Sequence, residues 1–230
     1  MLRTLLTSLA LIAGIFLITT FFILSFDEKN VVILAIILTL FAFSGFVLGI
    51  FYLYEDYNNL SVLELSLAAL FAAFFFSANY FAMLIPSIVY YVLPGGAGFT
   101  FYFPVSIFYG AYKSLSKVKG GSLLLLAGYG IISELFFPAL FWLPYYLAWG
   151  GFTEIHANNI NYSRRLDTFL HGFIFGIYGA GLSLNYMLLA WGYYRPIFLS
   201  LPAIIIDGLL ASIGFNMGYK IGKKLGAIQL

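Results

Sequence analysis

The chain has no cysteine, so disulfides, thiolate metal sites and cysteine nucleophiles are excluded. Charge is almost as scarce, at 9% of residues, and histidine occurs only at His156 and His171. Two histidines leave little material for metal or haem chemistry, and no metal ligand set is expected. There is no His-Glu-x-x-His, no Gly-x-Ser-x-Gly, no P-loop and no dinucleotide glycine pattern. Nothing is basic enough to suggest a nucleic-acid partner, and the formal net charge of +2 says little by itself. What fills the space is apolar: 63% of residues are hydrophobic and 20% are aromatic. Several apolar runs exceed the ~18 residues that mark a membrane helix. The expectation is an all-α, polytopic integral membrane bundle in the cell membrane.

Breakers and polar clusters divide the runs. The first two crossings are read as Leu5–Phe26 and Val31–Tyr54, joined at Asp27-Glu28-Lys29-Asn30. The first is too long for the apolar region of a signal peptide and is read as a retained membrane helix. Glu55 to Asn59 then breaks the chain. A third crossing spans Val62–Ile85, and Pro86 with Pro94-Gly95-Gly96-Ala97-Gly98 makes the next stretch irregular. A fourth runs from about Phe99 to Tyr112, and the last two are Asp167–Trp191 and Pro196–Tyr219.

The stretch between Ser122 and Gly151 decides the topology. Read as two helices, Ser122–Phe137 and Pro144–Asn158, it turns at Pro138 to Pro144. Lys and Arg favour the cytoplasmic side. With the split, Arg3, Lys113, Lys117, Lys119, Arg164, Arg165, Lys220, Lys223 and Lys224 share one side, against only Lys29 and Arg195. Without it the two sides are nearly balanced. The split predicts about eight transmembrane helices with both termini cytoplasmic. Residues 1–60 form a two-helix extension and residues 61–230 a six-helix core. The sequons at Asn59 and Asn161 then lie inside and carry no glycan.

Glu134 lies in Ile131-Ile132-Ser133-Glu134, near the outer end of its crossing. An ionisable side chain there is by default a functional hypothesis. Trp142, Tyr145, Tyr146 and Trp149 follow closely. A carboxylate beside aromatic faces suits a small amino-bearing heteroaromatic ligand, by charge pairing and stacking. An interfacial aromatic belt also explains the aromatics, but not the acid. Asn79, Tyr80 and Tyr193 fall on the same outer side, with Tyr90, Tyr91, Tyr194, Arg195 and Asn185 as further members.

At the opposite side stand Glu154, His156, Asn158 and Asn159. Asp167 and His171, four apart, share a helix face and read either as a proton relay or as a cap and anchor. Asp207 lies within the last crossing. Gly214, Gly218, Gly222 and Gly226 repeat every four residues, as do Gly172, Gly176 and Ala180, which permits close helix crossings. Ala68, Ala69, Ala72 and Ala73 have the same spacing in the third crossing, where internal packing is the simplest reading.

Residues 61–230 resemble the substrate-binding S component of an energy-coupling factor vitamin transporter. The resemblance rests on six short helices with both termini inside and on Ala68/Ala72 and Ala69/Ala73 in the first of them. Pro94-Gly-Gly-Ala-Gly98 and the basic turn before Gly120-Gly121 add to it. The last turn and the acid in Ile132-Ser-Glu134-Leu resemble the thiamine-precursor type. The resemblance implies a binding subunit without catalytic residues or cofactor, which takes a vitamin or vitamin precursor from outside. It implies partners: a membrane coupling subunit, docked through Ala68, Ala69, Ala72 and Ala73, and two cytoplasmic ATPases. It also implies that Glu134 recognises an amino-pyrimidine or similar group while Trp142, Tyr145 and Trp149 stack on the ring. The alternative is a membrane-anchor subunit of a respiratory or redox complex, in which a bis-histidine haem would consume both His156 and His171.

Overall fold

A computed structural model describes residues 31–85, 96–116, 118–138, 142–158, 160–191 and 197–228. Among them every regular element is helical: α1 (Val31–Glu55), α2 (Val62–Met83), α3 (Phe103–Leu115), α4 (Gly121–Phe136), α5 (Leu143–Ala157), α6 (Arg165–Trp191) and α7 (Ile197–Ile228). A short 3-10 turn over Tyr57–Asn59 separates α1 from α2, and a π-helical turn over Gly98–Tyr102 leads into α3. The expected crossing at Leu5–Phe26 lies outside the described residues.

Local chemistry accounts for the breaks. Ser61 caps α2 by accepting the Glu64 amide at 3.2 Å, with a glutamate three residues on as in a capping box. The chain leaves α4 after Phe136 and re-enters a helix at Leu143, so the two prolines divide the stretch into two helices as the charge argument required. Gly120 turns the chain into α4 at φ 76°, a left-handed conformation that disfavours any side chain.

Two helices among the described residues are long and apolar enough to cross a membrane, Val62–Met83 and Leu199–Ala227. The glycine ladder of α7 explains its closest contact. A methyl on Gly214, Gly218 or Gly222 would run into the carbonyl oxygens of Phe103, Ile107 and Ala111 respectively. Both sets advance four residues at a time in the same direction, so α3 and α7 run parallel with their backbones in contact. Gly172 and Gly176 meet Ser212 and Gly208 in reverse order, which makes α6 antiparallel to α7. On the other flank Gly45 of α1 and Gly151 of α5 allow a similar approach, so α1 is wedded to the bundle.

These directions gather the described lysines and arginines at one end. Lys119 pairs with Glu55 at 3.5 Å, and its amide donates to Asp56. Tyr162, just before Arg164 and Arg165, stacks on Tyr219, just before Lys220, Lys223 and Lys224. The opposite end holds Glu134 and the aromatics that follow it.

Candidate functional site

Two buried clusters occupy the two ends of the bundle. At the aromatic end, α5 presents Tyr145 and Trp149 one turn apart on a single face, directed at α6. Trp149 is fully buried and its indole N–H donates to the Phe175 carbonyl at 2.8 Å. The Tyr145 hydroxyl donates to the Gly179 carbonyl at 3.1 Å. The two rings stack at 5.7 Å, and Phe175 covers Trp149 at 4.4 Å. Tyr102 closes against Trp149 edge-on and reaches Ser183 at 3.1 Å. Tyr146 packs on Tyr129 at 4.5 Å, and Glu134 lies within electrostatic range of Tyr146. Trp142, half-buried, touches Tyr145 and Tyr186 at the rim.

Four of the expected ligand residues, Trp142, Tyr145, Tyr146 and Trp149, therefore form one continuous aromatic group, with Glu134 beside it. Tyr145 and Trp149 already have ring faces covered by the protein and polar atoms bonded to backbone. Asn79 is half-buried on α2, and Tyr80 is exposed there, with Phe76 as its ring neighbour. Asn185 donates to the Gly181 carbonyl of its own helix at 2.9 Å. Tyr193 lies outside the described residues, as do Tyr90, Tyr91, Tyr194 and Arg195. The alanine motif splits. Ala68 and Ala72 are buried, the latter against Gly128 of α4, whereas Ala69 and Ala73 are exposed. A separate apolar groove of about 400 Å³ runs between α2 and α3, lined by Phe74, Ala78, Phe81, Phe99, Pro104 and Phe108.

At the basic end the burial is of charge. Glu154 is fully buried and its carboxylate receives the amides of Gly120, at 3.1 Å, and Ser122. It thereby takes the anion position at the start of α4, where free N–H groups and the helix dipole favour negative charge. Asn158 donates to it at 3.1 Å, and the Lys113 ammonium stands 3.8 Å away with 6% of its side chain exposed. From Ser122 a chain of side chains continues. The Ser122 hydroxyl meets the Tyr109 hydroxyl at 2.7 Å, and Tyr109 meets His171 Nε2 at 2.8 Å. His171 Nδ1 meets His156 Nδ1 at 3.2 Å. Tyr162 lies edge-on to His171, its hydroxyl buried without a hydrogen-bond partner among the described residues. Burial, and next the Glu154 carboxylate, push the Tyr162 phenol well above its ordinary range.

This second cluster was only partly visible in the sequence. Glu154, His156 and His171 stood out, but Lys113 read only as one of the cytoplasmic cations, and Tyr109, Ser122 and Tyr162 carried no signal. The usable hint was that Tyr109 and Lys113 lie four apart, on one face of a helix that continues to Leu115. The hydrogen bonds of His171 go to Tyr109 and His156, and the electrostatic influence of Asp167 falls on His156.

The histidine geometry bears on haem. A metal held in line between two imidazole nitrogens needs them about 4 Å apart, twice a ~2 Å metal–nitrogen bond. The facing Nδ1 atoms stand at 3.2 Å, and Nε2 of His171 is committed to Tyr109, so the pair as arranged does not fit an axial ligand set.

No protein-family model, curated protein or solved structure matches the chain.

Proposed function

We propose that the chain is a multi-pass membrane protein of the cell membrane and the substrate-binding subunit of an ATP-driven importer of the energy-coupling factor type. The carrying observation is reversed burial. Glu154, Lys113 and His171 are inside, while Leu40, Phe43, Phe51, Leu63, Phe81 and Leu135 are exposed. Water as the surrounding solvent would favour the opposite arrangement, and a bilayer favours this one. Collection of the described cations at one end agrees with a cytoplasmic face there.

The ligand is a small vitamin-type heteroaromatic, thiamine-related in class, taken at the opposite end. Glu134 and Trp142, the half-buried members of the aromatic cluster, contact it, and Tyr145, Tyr146 and Trp149 form the wall behind them. Ala69 and Ala73, exposed on α2, are the docking positions for a coupling subunit, while Ala68 and Ala72 hold the helix to α4. Ala69→Leu is expected to abolish co-purification with such a subunit while leaving ligand affinity unchanged. Retained assembly would make the exposed alanines lipid-facing spacers.

The primary test is native mass spectrometry of the detergent-purified protein with identification of extracted small molecules. A stoichiometric vitamin-like heterocycle is expected. Stoichiometric quinone or haem in its place would overturn the importer reading.

A further inference from the structure

The chain from Ser122 through Tyr109 and His171 to His156 has a geometry that static packing does not require. The two imidazole planes are 8° apart, with ring centres 5.4 Å apart and Nδ1 atoms 3.2 Å apart. The centre separation exceeds the nitrogen separation by nearly two ring radii. The rings therefore lie edge to edge in one plane, and their Nδ1 lone pairs point at one another. Only a proton fits between nitrogens so placed.

Neutral imidazole carries one N–H, so the bonds on this chain set each other's direction. When Tyr109 donates to His171 Nε2, His171 Nδ1–H donates to a bare His156 Nδ1, and His156 holds its proton on Nε2. In the reverse order His156 Nδ1–H donates to His171, His171 Nε2–H donates to Tyr109, and Tyr109 donates to Ser122. Passing from the second order to the first takes one proton from water onto His156 Nε2. Each intervening bond shifts by one hydrogen, and the hydrogen displaced from the Ser122 hydroxyl goes to the Glu154 carboxylate, which already accepts the Ser122 amide, so that the cluster as a whole gains one proton. No heavy atom has to move.

We propose that His156 and His171 form a proton-binding site at the basic end of the bundle, with Tyr109 and Ser122 relaying the proton toward the Glu154–Lys113 pair. The groups that face it come from every neighbouring element. Tyr109 and Lys113 belong to α3, Glu154 to α5, Tyr162 to the connection before α6, Asp167 to α6, and Tyr219 to α7 beyond Tyr162. Burial opposes a positive charge on either ring, His156 and then Lys113 oppose it further at His171, Glu154 offsets Lys113, and Asp167 supports a charge on His156. His156 is 7% exposed and His171 is fully buried, so the proton enters at His156. Ionisable groups buried within a membrane bundle commonly mark such relays.

The two histidines are the only ones in the chain, so selective ¹⁵N-histidine labelling of the full-length protein in lipid nanodiscs reports these rings alone. The expected spectrum shows scalar coupling between the two Nδ1 atoms and opposite tautomers on the two rings. On acidification within the folded range, both rings respond together to uptake of one proton. Tyr109→Phe is expected to shift the His171 Nε2 resonance and leave the Nδ1 coupling intact. Independent titration of two uncoupled imidazoles would overturn the proposal, as would a coupled pair that takes up no proton while the chain is folded. Neither result depends on a ligand at the aromatic end.

Discussion

Both ends of the bundle bury tyrosines, with opposite consequences. At the aromatic end, Tyr145 and Trp149 give their single donors to backbone carbonyls of α6. A carbonyl within a helix cannot take over the donated proton, so these bonds fix rotamers. At the basic end, Tyr109 and the two histidines bond to side chains, each able to donate or to accept. Those bonds can reverse without repacking. Buried aromatics with polar tips thus serve as rigid walls or as proton carriers according to what their tips meet.

The largest effect is expected where charge is buried. Glu154→Ala leaves Lys113 without its counter-ion and the amides at the start of α4 unpaired. A loss of about 3–5 kcal/mol is expected in detergent unfolding. Combining Lys113→Met with Glu154→Gln should cost less than Glu154→Ala alone, because no lone charge remains. Equal losses would mean that the pair is hydrated and the contrast between the ends is overstated.

The aromatic end predicts a smaller change of another kind. Glu134→Gln is expected to weaken binding of the proposed heteroaromatic ligand ten-fold or more, about 1.4 kcal/mol, with little change in unfolding. Unchanged affinity in a titration would remove Glu134 from the ligand. Trp149→Phe keeps one aromatic ring, loses the N–H bond to the Phe175 carbonyl and leaves a cavity where the second ring stood, for an expected loss of about 2–3 kcal/mol of stability. A loss of affinity larger than the loss of stability would make Trp149 a ligand contact and not a wall.

The smallest effect separates the ends by pH. Burial raises the Tyr162 phenol above its ordinary value, so the unfolded chain ionises first as pH rises. Stability contributed by the neutral phenol is complete below about pH 10 and is lost above it, toward the folded value. Tyr162→Phe is expected to flatten the alkaline limb of a stability–pH curve. An unchanged slope would show that this hydroxyl is hydrated.

Several helix boundaries are legible in the sequence. Pro138 and Pro144 separate α4 from α5, because a proline cannot continue a hydrogen-bonded helix from the preceding segment. Two boundaries were misplaced in the same direction. The last helix was expected to end at Tyr219 and runs to Ile228, and the fourth crossing was expected to end near Tyr112 and runs to Leu115. Lys220, Lys223, Lys224 and Lys113 end an apolar run without ending a helix, since lysine is a good helix former. Glu134 and its aromatics were legible as a cluster because they are close in sequence.

What the sequence alone determined is what depends on neighbours along the chain. That includes helical periodicity, the breaks at proline and glycine, the small-residue spacing of α6 and α7, and the scarcity of groups for metal or thiol chemistry. Tertiary structure alone decided that Gly214, Gly218 and Gly222 bind α3 in parallel, that Ala72 faces Gly128 while Ala69 does not, and that His171 bonds to His156 and Tyr109. The reason is physical. Periodicity says which residues share a helix face but not which helix that face meets. The meeting of α3, α4, α5 and α6 around Glu154 and His171 joins side chains as many as 62 positions apart.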